Sequence, residues 1–354
     1  MKVSAAAAAI SSALSLAAAA RQRESPTAII ADEGGITVVA SDLGMTIKVR
    51  VEGSVISPGA AAVSANRLAG LIAGFAADAI IEIKVEPNGV TIGRYRLPSA
   101  AIPMANTLIG EIGRIEIDGD GCIALLAVVS AAATDATRVV LNGVFLHTVG
   151  SQLVVVAANG NKLLRHGIEA ERFSTERDLI LPTRSAVALA RLIRQTKSKK
   201  ITLCRSKTML AANGNGFEFT TRLIDAVYPA FEAMIPELTA NIVNVDRVEL
   251  LAALARLIAI ARGEHPLIAL TWTEGEPLHA FLPRQPDDGS DDISAETKGR
   301  ARIVLVPSQL AAMLGEFNGH QHVLLISTAD RLLITGRNKL GLLMTCAWHF
   351  QEAA

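Results

Sequence analysis

Val63-Ser64-Ala65-Asn66-Arg67-Leu68, Leu181-Pro182-Thr183-Arg184-Ser185-Ala186-Val187 and Val306-Pro307-Ser308-Gln309-Leu310 spell one signal three times. Each opens on Val or Leu, passes through Ser or Pro, and runs on into small and apolar residues, as helix starts do. The copies begin roughly 120 residues apart, the size of one small domain. Stretches of helical, apolar composition precede them, at 4–20, 121–133 and 245–261. Helix pairs recurring at a fixed period predict a chain built by repetition, not one arranged around a single pocket.

Strand patterns fill the gaps in the same order each time. In the first third, 36–40 and 46–51 read as strands around a Ser41-Asp42-Leu43 corner. Residues 80–86 alternate apolar with charged, and Pro87-Asn88-Gly89 turns them into a second strand at 90–97. The middle third offers strands at 139–147, 152–157, 200–205, 209–212 and 216–223. The last offers 266–273, 278–282, 323–327, 331–335 and 340–346. Helix, strands, helix, strands, with antiparallel hairpins, predicts an α+β fold in which two helices pack on sheet in each unit. Domain boundaries are expected at 1–120, 121–237 and 238–354. Asp118-Gly119-Asp120-Gly121 sits at the first of them, where an Asp can cap the next helix. The acidic stretch 287–298 reads as a solvated loop; its carboxylates lack the ligand spacing of a calcium loop.

Half of the 354 residues are hydrophobic and 4% are aromatic, so aliphatic side chains fill the interior. Lys plus Arg equals Asp plus Glu, 34 each. Zero net charge argues against coating nucleic acid by bulk charge, while leaving room for a local basic surface. Cys122, Cys204 and Cys346 have no paired spacing and read as small buried hydrophobes of a reducing cytosol. The N-terminal run is mostly Ala, interrupted by Ser4, Ser11, Ser12 and Ser15, and reads as a helix, not a secretory leader or membrane span. Phosphate-loop, nucleophile-elbow and zinc-protease motifs are absent, and no catalytic constellation or cofactor is expected.

The order of weaker motifs resembles one family, the bacterial DNA polymerase III beta subunit, or beta sliding clamp. The likeness rests on Ala40-Ser41-Asp42-Leu43, on Leu97-Pro98-Ser99-Ala100-Ala101-Ile102-Pro103, and most of all on Thr137-Arg138-Val139-Val140-Leu141-Asn142-Gly143-Val144. Ile180-Leu181-Pro182, Leu223-Ile224-Asp225, Tyr228-Pro229 and Ile235-Pro236 follow in the family's sequence. Two segments depart from it. Ala157-Ala158-Asn159-Gly160-Asn161-Lys162-Leu163 stands where the family has Ala-Thr-Asp-Gly-His-Arg-Leu. Met344-Thr345-Cys346-Ala347, followed by Trp348, stands where it has Met-Pro-Met-Arg.

The resemblance implies three similar clamp domains and two chains paired head to tail into a ring around duplex DNA, held without regard to base sequence. Its partners would be the polymerase catalytic subunit and a clamp loader, in the cytoplasm and off the membrane. Arg21, Arg23, Arg67, Arg138, Arg184, Arg191, Lys197, Lys199 and Lys200 would face the DNA. Gly160, Asn161, Lys162, Leu163, Pro229, Met234, Leu342 and Met344 would form a cleft for partner peptides, and Ile102 and Ile260 would lie at the ring interface. The altered cleft segments keep open an accessory, plasmid or phage copy with different partners. An enzyme with an unrecognised site is the remaining alternative.

Overall fold

The computed structural model describes residues 1–21, 25–135, 137–150, 152–169, 178–237, 239–284, 289–328 and 330–347. Arg23 and Trp348 lie outside them. One order, strand, helix, strands, helix and three strands, recurs three times, with five, four and five described strands between the helices. The first repeat runs β1 Lys2–Ala6, α1 Ala7–Ala17, β2 Pro26–Asp32, β3 Gly35–Ser41, β4 Met45–Val51, β5 Gly53–Ser57, β6 Gly59–Ser64, α2 Ala65–Ala73, β7 Ile80–Glu86, β8 Gly89–Ile92 and β9 Tyr95–Leu97. The second runs β10 Gly113–Asp118, α3 Gly119–Leu126, β11 Gly143–Val149, β12 Gln152–Ala158, β13 Lys162–Glu169, β14 Leu179–Pro182, α4 Thr183–Thr196, β15 Lys200–Arg205, β16 Met209–Gly214 and β17 Phe217–Arg222. The third runs β18 Ile242–Asp246, α5 Arg247–Ile260, β19 Ile268–Thr273, β20 Leu278–Phe281, β21 Ser290–Ile293, β22 Ala295–Lys298, β23 Arg300–Leu305, α6 Pro307–Gly315, β24 His322–Ser327, β25 Arg331–Gly336 and β26 Lys339–Met344.

Pairing repeats with the order. The strand that opens each repeat pairs antiparallel with the strand after the second helix, as β1 with β7, β10 with β15 and β18 with β24. The helices also go in twos, α1 against α2, α3 against α4, and α5 against α6. Each buries one stripe. In α1 it is Ile10, Ala13, Leu14 and Ala17; in α5 it is Leu250, Ala253, Leu254 and Leu257. That spacing of three and four residues puts the stripe on one face, and each buried Leu contributes about 2 kcal/mol. Asp246 opens α5 by accepting from Val248 N–H and Glu249 N–H at 2.7 and 3.0 Å. Asp118 opens α3 by accepting from Gly121 N–H at 2.9 Å.

Contacts group the chain into two compact units. Unit 1 is Met1–Leu126, Leu146–Leu153 and Glu169–Asp225; unit 2 is Ala127–Phe145, Val154–Ile168 and Ala226–Ala354. Unit 1 holds a five-stranded sheet, β5-β1-β7-β8-β9, and an eight-stranded one, β10-β15-β16-β17-β4-β3-β2-β6. Unit 2 holds the run β13-β26-β25-β24-β18-β22 and a four-stranded sheet, β21-β20-β19-β23. Strand pairs therefore join successive repeats inside each unit, β4 with β17 in unit 1 and β13 with β26 in unit 2.

Three expectations change. The strand expected over 90–97 is two strands, because Gly93, at φ +57°, and Arg94 make a two-residue turn that pairs Ile92 with Tyr95. The stretch 139–147 begins as a short 3-10 turn, Val139–Asn142, before β11 starts. The acidic stretch read as a loop contains β21 and β22. Their backbone groups pair with β20 and β18, and Ile293 is buried, so sheet pairing overrides the polar composition. Among the described residues no helix is long and apolar enough to cross a membrane.

Candidate functional site

Two corners, one in each unit, are built by the same hydrogen bonds. In unit 1 the Asp42 carboxylate Oδ1 accepts from Gly44 N–H and Met45 N–H at 2.9 and 2.8 Å, and Asp42 N–H donates to Met45 O. In unit 2 the Asn159 side chain accepts from Asn161 N–H and Lys162 N–H at 3.0 Å each, and Asn159 N–H donates to Lys162 O. Both are Asx turns leading into a strand that joins repeats. The final strand of the neighbouring repeat closes each corner alike, with Arg222 N–H on Gly44 O and Met344 N–H on Asn161 O. The corners differ in what covers them. The side-chain amide of Asn106 donates to Asp42 O at 2.8 Å, whereas Arg138 Nη1 donates to Asn159 O at 2.7 Å.

The unit 2 corner gathers the residues expected in a peptide cleft. Register places Leu163 opposite Leu342 and Lys162 opposite Leu343. Met344 lies opposite Arg331, whose Nη1 donates to Met234 O at 2.7 Å. Tyr228 stacks on Phe145 at 4.8 Å, and Phe231 meets Phe145 edge-on. This cluster holds the 226–234 segment down; burial pushes the Tyr228 phenol up to about 12. Val227 and Pro229 stay on the surface. Exposure then sorts the set. Gly160, Asn161 and Pro229 are exposed, Lys162, Met234 and Met344 half-buried, and Leu163 and Leu342 fully buried. The two leucines are thus core beneath a rim and present no surface themselves. Lys162 Nζ is held by Ser130 O at 2.7 Å. Gly160 has φ +94°, and a Cβ there would come within 2.9 Å of Arg138 Nη1, so this rim needs glycine.

Arg138 therefore belongs to the cleft corner, apart from the helix-borne cations with which the sequence grouped it. The Asn159 carbonyl that receives it lies 21 residues along the chain, a pairing that no local pattern announces. Of the other cations, Arg21, Arg67, Arg184, Arg191, Lys197, Lys199 and Lys200 all belong to unit 1. Arg184 Nη1 bonds Asp42 Oδ2 at 2.5 Å, and its Nη2 donates to Ala19 O at 2.6 Å. Arg191 reaches Ser15 Oγ and Gln195. Lys200 pairs with Glu116 at 3.1 Å, and Arg21 is half-buried. Arg67, Lys197 and Lys199 are exposed with no ion-pair partner among the described residues. The residues expected at a ring interface are half-exposed apolar side chains. Ile102 follows β9, and Ile260 ends α5 with its δ-carbon beside Gly289, next to β21.

Residues 122–230 match the model of the DNA polymerase III beta subunit, central domain. The beta sliding clamp of Pseudomonas aeruginosa is 25% identical over 302 residues, covering 81% of this chain and 82% of that protein. That of Pseudomonas putida is 24% identical over 306 residues, covering 83% of each. Residues 122–230 thus carry the central domain of the DNA polymerase III beta subunit, and the chain resembles beta sliding clamps over most of its length. The P. aeruginosa DNA polymerase III subunit beta superposes with a TM-score of 0.86 at 22% identity, across 98% of this chain and all of that one. The Bacillus subtilis DNA polymerase sliding clamp does so at 0.89 and 18% identity, across 99% of this chain and all of that one. The α+β sliding-clamp fold is thus kept while most side chains have changed.

Proposed function

We propose that this chain is a DNA sliding clamp, a non-catalytic processivity factor that encircles duplex DNA and tethers a replicative polymerase to it in the cytoplasm. One observation carries the ring. The third repeat's β21 and the first repeat's β9 are the counterparts of the strands that join repeats within the chain, and both are sheet edges. The joins β4–β17 and β13–β26 use the third strand of one hairpin series against the third of the next. The same rule leaves β21 of one copy to meet β9 of a second, head to tail. Ile260 lies beside Gly289, next to β21, and Ile102 follows β9 in the chain; both are exposed apolar side chains that such a join would cover.

Three domains, at 1–120, 121–237 and 238–354, fit this scheme. A polymerase or loader peptide would lie along the unit 2 corner, with apolar anchors over Pro229, Met234 and Met344 and polar contacts to Asn161 and Arg138. A loader would be needed because a closed ring cannot thread circular DNA unaided. Solution mass and retention on DNA test the reading. A dimer that stays on nicked circles after loading, and leaves when they are linearised, is expected. A monomer, or equal retention on circles and linear duplex, would overturn it.

The altered cleft favours a second reading, a specialised copy of the clamp. Asn161 and Lys162 replace the family's His and Arg, and Thr345 and Ala347 replace its Pro and Arg. Competition between a polymerase-derived clamp peptide and this chain's own partners separates the two.

A further inference from the structure

The most open apolar side chains of this protein gather at its two corners. Met104 is 91% exposed, Leu43 84% and Ile109 81%, and all three belong to unit 1, on or near the Asp42 turn. In unit 2 the comparable side chain is Val227, beside Tyr228 and also exposed. Large apolar side chains left this open in one place mark an interaction surface.

Buried polar groups hold the unit 1 surface in place. Ser41 Oγ donates to Met104 O at 2.7 Å and meets Thr46 Oγ1 at 2.7 Å. Thr46 Oγ1 accepts from Asn106 N–H at 2.7 Å, and the Asn106 side-chain amide reaches Asp42 O at 2.8 Å. Ser41 and Thr46 are both buried, so water competes little for this network and the backbone it grips is fixed. Further on, Ile112 N–H donates to Arg205 O at 2.9 Å. The connector from Met104 to Ile112 is therefore pinned at β4 and again at β15, across the ends of β17 and β16 in the same sheet. At about 4.8 Å per strand it crosses about 14 Å of strand ends.

Charges border this rim. Arg222 N–H donates to Gly44 O, which puts Arg222 next to Leu43. Leu223 N–H donates to Thr208 O, which brings in Lys207. The exposed side chains of Arg222, Lys207 and Asp225 have no partner among the described residues. Arg184 is held by Asp42 and Ala19, and Arg114 by Glu111 through two bonds of 2.9 Å. Two free cations thus stand against one free carboxylate.

We infer that the unit 1 corner is a second peptide-docking surface. Its occupant is an extended acidic segment of a partner protein, with apolar side chains over Leu43, Met104 and Ile109 and a carboxylate against Arg222. The inference rests on the reading of the unit 2 corner as a peptide site, whose Asx turn and cross-repeat closure this corner shares. The rim's length suits about four extended residues at about 3.4 Å each. Its charge selects an acidic segment over a basic one. Because the corner is already fixed, binding has to order the peptide alone.

The test is fluorescence anisotropy of a labelled short peptide of alternating leucine and aspartate, titrated with the full chain carrying Met344→Ala to weaken the unit 2 corner. Adding Leu43→Ser/Met104→Ser is expected to weaken binding at least about tenfold with an unchanged melting temperature, since both side chains are exposed. Arg222→Ala should weaken it about threefold and Arg222→Lys should restore it. A peptide of alternating leucine and lysine should bind at least about tenfold more weakly than the acidic one. Equal binding of the two peptides, or no effect of Leu43→Ser/Met104→Ser, overturns the inference. So does a fall in solution mass on Leu43→Ser/Met104→Ser, which would make a second copy of this chain the occupant. A parent chain that fails to bind a polymerase-derived clamp peptide overturns the unit 2 reading, and this inference with it. A parent chain that binds that peptide, with Leu43→Ser/Met104→Ser silent toward the acidic one, overturns this inference alone.

Discussion

Arg184 reaches across from α4 to the carboxylate of Asp42, 142 residues earlier in the chain, at 2.5 Å. The Asp42 side chain is 5% exposed and that of Arg184 is 55%. The buried partner is the anion, and the cation supplied to it also ties down Ala19 O. Removing the arginine leaves a carboxylate with two backbone donors and no counter-charge. Breaking a fully buried pair costs about 3–5 kcal/mol, and the exposed arginine reduces that to about 1–3. Arg184→Ala should therefore lower the unfolding free energy in denaturant by that amount. A double-mutant cycle with Asp42→Asn should return a coupling of at least about 1 kcal/mol. Zero coupling would reduce the bridge to a surface contact.

Exposure divides the cleft variants into two kinds. Leu163 is 0% exposed, so Leu163→Ala should act on stability, with a loss of about 2–5 kcal/mol as the space it vacates is incompletely refilled. Met344 is only half-buried and sits at the rim. Met344→Ala should weaken binding of a clamp-binding peptide about tenfold with little change in melting temperature. Calorimetric titration and thermal melts on the same two variants check the division. A stable Leu163→Ala protein that cannot bind peptide would show that the leucine reaches the partner after all.

Acid should loosen α5 through its cap. The backbone N–H of Glu249 holds the Asp246 carboxyl below its ordinary value; burial opposes it, and the N–H of Val248, Gln321 and the charge of His322 add to the lowering. A carboxylate whose folded value is depressed contributes stability above its unfolded value, and that contribution fades as pH falls through the folded one. The melting temperature should drop as pH falls below about 4, where an unperturbed Asp begins to protonate. Asp246→Ala should melt lower near neutrality and show a shallower acid decline than the parent. Parallel acid limbs would mean that the cap does not titrate with unfolding.

Ring closure through the exposed isoleucines predicts an assembly defect without a folding defect. Ile260 is 43% exposed and Ile102 is 53% exposed. A charge at either would cost little in a monomer and several-fold more once covered. Ile260→Asp should raise the dimer dissociation constant at least about tenfold by analytical ultracentrifugation while the melt stays cooperative. An unaltered dimer would place the join elsewhere.

Much of the fold was legible because its signals are local. The helix starts at Ala65, Thr183 and Pro307 follow directly from their Ser and Pro neighbours, and Pro87-Asn88-Gly89 marks its hairpin. The turn at Gly93-Arg94 was equally local and was obscured by the apolar residues around it. Strands β21 and β22 were not legible, since their charges satisfy a loop reading until β20 and β18 supply hydrogen-bond partners. The sites suffered more, because a side chain's role depends on distant company. Nothing near Arg184 names Asp42, and nothing near Arg138 names Asn159. Both read as spare helix or loop cations until the corners are in view. Leu163 and Leu342 kept the family's apolar character, yet face each other in the interior.

The strands that join repeats form a chain of zippers under load, and the zippers differ in length. Met45–Val49 runs against Phe217–Thr221 and Lys162–His166 against Lys339–Leu343, ladders of five residues each. The edges left for a second copy are shorter, with three residues in β9 and four in β21. Force applied around such a ring passes through every zipper in series, and the one with fewest backbone bonds lets go first. In the proposed ring, strand length would put the latch between protomers and keep each polypeptide whole while the ring is prised open.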